Sequence, residues 1–169
     1  MIRYRDLIQI PVADTGEILI IIPTNVIANG YIPPMTDMNL LFGPNILVRK
    51  SVLTRLIKAQ TLLQQTSSSL TLYLTYGYRS LSVQTKRFLN KLSEVAKKNI
   101  FQNPLDLYEE VHRFIAVPTV AGHPTGGAVD IAIKDLISGK FLDFGNRMYD
   151  YSTKDCYVFT PMKKNVRKN

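Results

Sequence analysis

Hydrophobic and polar positions change period several times along this chain, and each change predicts an element. Between residues 50 and 65, Val52, Leu53, Leu56, Ile57, Ala59, Leu62 and Leu63 recur at three- and four-residue intervals. That spacing predicts a helix with one apolar stripe. The period then drops to two: Leu70, Leu72 and Leu74 alternate with Thr71, Tyr73 and Thr75, which predicts a strand over 70–75 with one buried face. Tyr76-Gly77-Tyr78-Arg79-Ser80 follows at once and opens a second predicted helix over 82–98, with Val83, Phe88, Leu89, Leu92, Val95 and Ala96 turned inward. Residues 104–112 predict a further turn or two of helix.

The flanks are more broken. Residues 7–12 and 17–23 read as two short strands of a hairpin around Ala13-Asp14-Thr15-Gly16. Residues 25–44 carry Gly30, Pro33, Pro34, Gly43 and Pro44, too much punctuation for regular structure, and predict a long ordered loop packed through its apolar side chains. A Pro-, Gly- and Thr-rich stretch, 117–127, leads into a predicted strand over 128–133. A turn at 136–140 returns Phe141-Leu142-Asp143-Phe144 as a hairpin partner. The sum is an α+β fold, a single domain with helices packed on a mostly antiparallel sheet.

Composition narrows the function classes. A chain of 169 residues with 46% hydrophobic and 20% charged positions suits one globular domain. The net charge of +8 invites a nucleic-acid reading, but half of it comes from Lys163, Lys164, Arg167 and Lys168. No basic face interleaved with aromatics accompanies that tail, so nucleic acid is not an expected partner. No apolar run approaches the roughly 20 residues of a membrane span, and the start lacks a secretory pattern. With Cys156 alone, no internal disulfide can form. A soluble cytoplasmic protein is expected.

Chemistry concentrates in His123-Pro124-Thr125-Gly126-Gly127-Ala128-Val129-Asp130. Asp130 falls inside the predicted strand, flanked by Ala128, Val129, Ile131, Ala132 and Ile133, where an unpaired carboxylate is costly to bury. A metal ion compensates such a charge, and imidazole with carboxylate suits zinc. A hydrogen-bonded His–Asp pair is the plain alternative.

Gly122 to Asp130 resembles the His-x6-Asp zinc motif of the D-alanyl-D-alanine dipeptidases, the family that includes the vancomycin-resistance dipeptidase. Tyr76-Gly77-Tyr78-Arg79-Ser80 resembles that family's conserved-arginine segment. Lys58-Ala59-Gln60 in the first helix and Leu142-Asp143-Phe144-Gly145 after the motif fit the same order. The resemblance implies zinc held by His123 and Asp130, with Arg79 stabilising the oxyanion formed when water attacks the scissile carbonyl. Zinc would polarise that carbonyl and bring the pKa of its water to about 7. The implied substrate is the small D,D-dipeptide of cell-wall precursor turnover.

The family's catalytic base and last ligand come from a later Glu-x-x-His segment. That segment does not occur before Asn169, so a carboxyl-terminally truncated chain with weak zinc binding and slow hydrolysis is expected. A non-catalytic remnant or peptide-binding protein of the same fold is the alternative. Glu109-Glu110-Val111-His112 carries a Glu three residues before a His, but it precedes the motif on an expected exposed turn and is read as coincidence. Cys156 is read as small core filler beside Tyr157 and Phe159. Met148-Tyr149-Asp150 leaves the partner of the substrate's amino group open. A carboxypeptidase acting on peptidoglycan shares the His-x6-Asp logic, but its substrate lies outside the cytoplasm.

Overall fold

The computed structural model describes residues 2–10, 15–32 and 35–144. Residues 11–14, the end of the first predicted strand and the start of its turn, together with Gly145, Met148-Tyr149-Asp150, Cys156 and the basic tail, lie outside the described residues.

The elements run α1 (Tyr4–Leu7), β1 (Leu19–Ile21), β2 (Ala28–Asn29), α2 (Thr36–Phe42), β3 (Leu47–Arg49), α3 (Lys50–Thr66), β4 (Leu70–Tyr76), α4 (Leu81–Lys98), α5 (Pro104–His112) and β5 (Asp130–Asp135). Two single 3₁₀ turns, Pro118–Val120 and His123–Thr125, link α5 to β5. β1 pairs antiparallel with β3. A second sheet has the order β2-β4-β5, parallel between β2 and β4 and antiparallel between β4 and β5. The architecture is the expected α+β, mostly antiparallel one. Where β4 ends, the Tyr78 amide donates to Leu47 O at 2.7 Å and joins the two sheets.

The best-defined elements have strong local reasons to form. Ser80 caps α4 by accepting from the Val83 amide, and Lys97 and Lys98 complement its carboxyl-terminal dipole. Asn103 caps α5, with Pro104 in its first turn and Asp106 beside the amino terminus. On β4 the alternation of Leu72, Leu74 and Tyr76 drives one face into the interior, all three being buried. The main core gathers Ile22, Ile27, Ile46, Val48, Leu56 and Leu74 between the sheets and α3.

Several expectations are corrected. Of the predicted strand 7–12, the described residues 7–10 are not strand: α1 occupies Tyr4–Leu7, and Glu109 on α5 accepts from the Tyr4 and Arg5 amides at 2.9 Å each. A carboxylate from far along the chain thus caps a helix that local pattern does not announce. The partner of β1 is accordingly β3. The segment 25–44 is not all loop. It holds β2 and α2, because Met38 is fully buried and Asp37 pairs with Arg87 of α4 at 2.6 Å. α3 buries only Leu56 completely, with Val52 and Leu53 partly buried, while Ile57, Ala59 and Leu62 are exposed. On α4, Leu89 and Ala96 face outward, and the polar Gln84 takes an inward position. The last strand starts at Asp130 and not before it. The hairpin return from 141 is reduced to a bridge between Lys134 and Phe141, with the Leu142 amide on Ile133 O.

Candidate metal and anion site

The end of β4 and the loop before β5 face each other, and their main chains are bonded together. The Arg79 amide donates to His123 O at 3.2 Å. In return His123 Nδ1 lies 2.8 Å from Gly77 O. A carbonyl oxygen only accepts, so Nδ1 carries the proton and donates. In the neutral ring, Nε2 then presents its lone pair.

Gly77 is what lets β4 come so close. A Cβ there would stand 2.4 Å from Leu47 O and 2.8 Å from Ile46 Cγ2. The loop itself turns at Gly126, whose φ of 72° is left-handed and favours glycine. A Cβ at Gly126 would also meet Leu19 Cδ2 at 2.6 Å. Arg49 fixes this turn from outside, its amide on Gly126 O at 3.1 Å and its Nε on Thr125 O at 2.7 Å.

Asp130 is the first residue of β5, opposite Tyr76 in the ladder. Its side chain is one-third exposed, so it is not the strand-interior carboxylate expected from its apolar neighbours. It is open enough to meet a ligand. His123 Nε2 faces Asp130 Oδ1 at 3.6 Å. Hydrogen bonds of this type fall at about 2.7–3.2 Å, so the pair is too far apart for one. Zinc bonded to both at about 2.1 Å with a tetrahedral angle near 109° would put the two atoms about 3.4 Å apart. A cation between them would satisfy both acceptors. By spacing and donor type, His123 and Asp130 fit two of the positions around zinc. Among the described residues no group of three or more His, Cys, Asp or Glu side chains comes together.

Arg79 is placed against the same histidine. Its side chain is only 9% exposed. Nε donates to Tyr76 Oη at 3.0 Å and Nη1 to Gln84 Oε1 at 2.7 Å. The guanidinium also lies 4.6 Å over the Tyr76 ring. The same ring meets the His123 imidazole edge-on, with centroids 5.2 Å apart. Tyr76 is therefore shared by the imidazole and the guanidinium, and Arg79, His123 and Asp130 form one neighbourhood.

Sequence reasoning assigned no role to Tyr76, Gln84 or the Gly77 carbonyl. A polar Gln on the inward stripe of α4 was the available signal for one of them.

His112 belongs elsewhere. Its Nδ1 accepts from the Val117 amide at 3.2 Å, and its ring packs against Tyr4. It is half-buried, not on an exposed turn, and burial holds its pKa below the ordinary value of 6.5 against the field of Glu109. Glu109 is engaged by α1.

A cleft of about 990 Å³ is lined in part by Arg49, Arg55, Thr119, Gly122 and Thr125. His123, Asp130 and Arg79 do not line it, so the chemistry-bearing groups and this cleft are separate features. No described helix is long and apolar enough to cross a membrane. No protein-family model matches the chain, and no curated protein is significantly similar to it.

Proposed function

We propose that this chain is a zinc-dependent hydrolase of the D-alanyl-D-alanine dipeptide, acting in cytoplasmic turnover of cell-wall precursors. The observation that carries this reading is the pairing of His123 Nε2 with Asp130 Oδ1 at 3.6 Å, with Nδ1 held on Gly77 O. That arrangement leaves a nitrogen lone pair and a carboxylate oxygen aimed at one point. The order of the sequence motifs supports the choice of substrate.

When bound, zinc would polarise the scissile carbonyl and lower the pKa of a water to about 7. The chain's own groups have distinct tasks. His123 and Asp130 would hold the metal, the first oriented by the Gly77 carbonyl. Arg79, a permanent charge fixed beside His123, meets the oxygen on which negative charge develops. Losing one such donor costs ~10²–10³ in rate. The Glu-x-x-His segment implied by the resemblance, with its base and last ligand, is not among the described residues.

The test is calorimetric zinc titration of the wild-type chain beside His123→Ala and Asp130→Ala, with D-alanine release measured on the zinc-loaded protein. Zinc uptake that depends on both residues, together with release of D-alanine, supports the reading. Wild-type uptake no tighter than that of either variant would overturn it. Zinc and dipeptide bound without any release would mark a non-catalytic peptide-binding protein of the same fold.

A further inference from the structure

We propose that Gln84 and Tyr76 are positioning residues that hold Arg79 through neutral acceptors, so that its charge is kept for an oxygen anion of the ligand. This inference rests on the reading above and deepens it.

A guanidinium that is 9% exposed ordinarily has a carboxylate partner, because an uncompensated charge away from water is costly. Among the described residues Arg79 has none. Its two hydrogen-bond acceptors are a phenol and an amide. Asp37 feels the field of Arg79, but both of its oxygens are taken by Arg87, at 2.8 Å from Nε and 2.6 Å from Nη2. The Tyr76 ring lies between the two cations, 4.6 Å from the Arg79 guanidinium carbon and 5.7 Å from that of Arg87. Among the described residues Asp37 is thus bonded to Arg87, while Arg79, bonded to the His123 main chain, keeps neutral acceptors.

Gln84 is built to stay neutral and in place. It is 1% exposed, and its Nε2 donates to Ala116 O at 2.6 Å. Ala116 O can only accept, so the amide cannot turn round, and Oε1 is left facing Arg79. Glutamate has nearly the same shape and would supply the missing counter-charge. The glutamine therefore fixes the guanidinium without quenching it. Tyr76 does the same at Nε, and its ring also sets the His123 imidazole, so the anion holder and the metal ligand share one support.

The experiment uses the full chain, wild type and Gln84→Glu, Gln84→Ala, Tyr76→Phe and Arg79→Met, with inorganic phosphate as the anion probe on metal-free protein. Zinc affinity is measured separately. Gln84→Glu is expected to keep or raise the melting temperature, because Arg79 gains a counter-ion. It should still weaken phosphate binding by about tenfold or more, the scale of one charge-assisted bond. Gln84→Ala should lose both stability and binding, and Tyr76→Phe should weaken phosphate a few-fold. A purely structural Gln84 would not separate stability from anion binding in this way. Wild-type protein that binds no phosphate, or binds it equally well as Gln84→Glu or Arg79→Met, overturns the proposal. Zinc uptake independent of His123 and Asp130 would instead sink the metal reading alone.

Comparing D-alanyl-D-alanine with its carboxyl-terminal amide separates two sources of the anion. A carboxylate held by Arg79 makes the wild type prefer the free acid and Gln84→Glu lose that preference. An oxyanion formed in the reaction leaves binding of the two equal and moves only kcat.

Discussion

His112 and His123 lie eleven positions apart, and the chain uses them in opposite ways. At His112 the partner of Nδ1 is an amide N–H, from Val117. At His123 it is a carbonyl, from Gly77. The first partner fills the Nδ1 lone pair and leaves the neutral ring with a proton on Nε2. The second takes the Nδ1 proton and leaves Nε2 bare. The carboxylates differ in the same sense. Glu109, three residues before His112, is committed to the α1 main chain and to Arg5 Nε at 2.9 Å. Asp130 is turned toward His123 at 3.6 Å and one-third exposed. The Glu-x-x-His spelling at 109–112 is therefore committed to structure, whereas a His with a carbonyl behind it and a carboxylate in front has the parts of a metal site. Ligand capacity is decided by the main-chain atom on the far side of the ring.

The strongest way to break this contrast is to delete each imidazole. His123→Ala and Asp130→Ala are expected to lower zinc affinity at least ~10²-fold, beyond the range for losing an outer-shell partner. His112→Ala should leave it within about twofold, as read by competition with a chromogenic chelator. Equal losses from both histidines would dissolve the distinction.

Next comes the carbonyl behind His123. Gly77→Ala forces a Cβ against Leu47 O and is expected to cost about 1–3 kcal/mol in urea denaturation. It should also weaken zinc about 10-fold through the displaced Gly77 carbonyl.

A smaller effect sharpens the other side. Burial pushes the Glu109 carboxyl up, but hydrogen bonds from Arg5 and Tyr4 outweigh this and hold it below its ordinary range. Glu109→Gln should loosen α1 at about 1 kcal/mol with zinc affinity unchanged. Proteolysis near the amino terminus would show the loosening, and an unaltered cleavage pattern would count against it.

The smallest effect is in pH. Burial depresses the folded-state pKa of His112 below 6.5, so the unfolded chain takes up the proton first. This share of stability is complete above pH 6.5 and declines as the pH falls below it. His112→Gln should flatten the acid limb of melting temperature against pH. A limb unchanged by the substitution would remove His112 as its source.

What the sequence made legible follows the range of the forces involved. β4, α4 and α5 are close to their expected spans because alternation, capping by Ser80 and Asn103, and Pro104 act within a few residues. The amino-terminal hairpin was not legible as drawn, since α1 depends on Glu109, about a hundred residues away. Nor could the apolar stripe of α3 show that Ile57 and Leu62 stay exposed, because periodicity marks a face without naming what covers it. In the candidate site, His123 and Asp130 could be singled out by residue type and spacing, and Arg79 only through the resemblance of its segment. Their supports could not: the Gly77 carbonyl has no side-chain signature, and Tyr76 reads only as the first residue after the predicted strand 70–75. Gln84 was the nearest to being readable, as a polar residue where α4 otherwise turns apolar.

The two bonds between residue 123 and the 77–79 segment have a mechanical meaning. Both involve main-chain atoms, Gly77 O in one and the Arg79 amide with His123 O in the other. A spacing set by backbone is retuned only by changes that move the backbone itself, as at Gly77. The backbones of 77–79 and 123 are therefore tied together, and a molecule held by both side chains would have to match the spacing between them. Selectivity for short ligands would then be a matter of calibre, written into the skeleton of the fold.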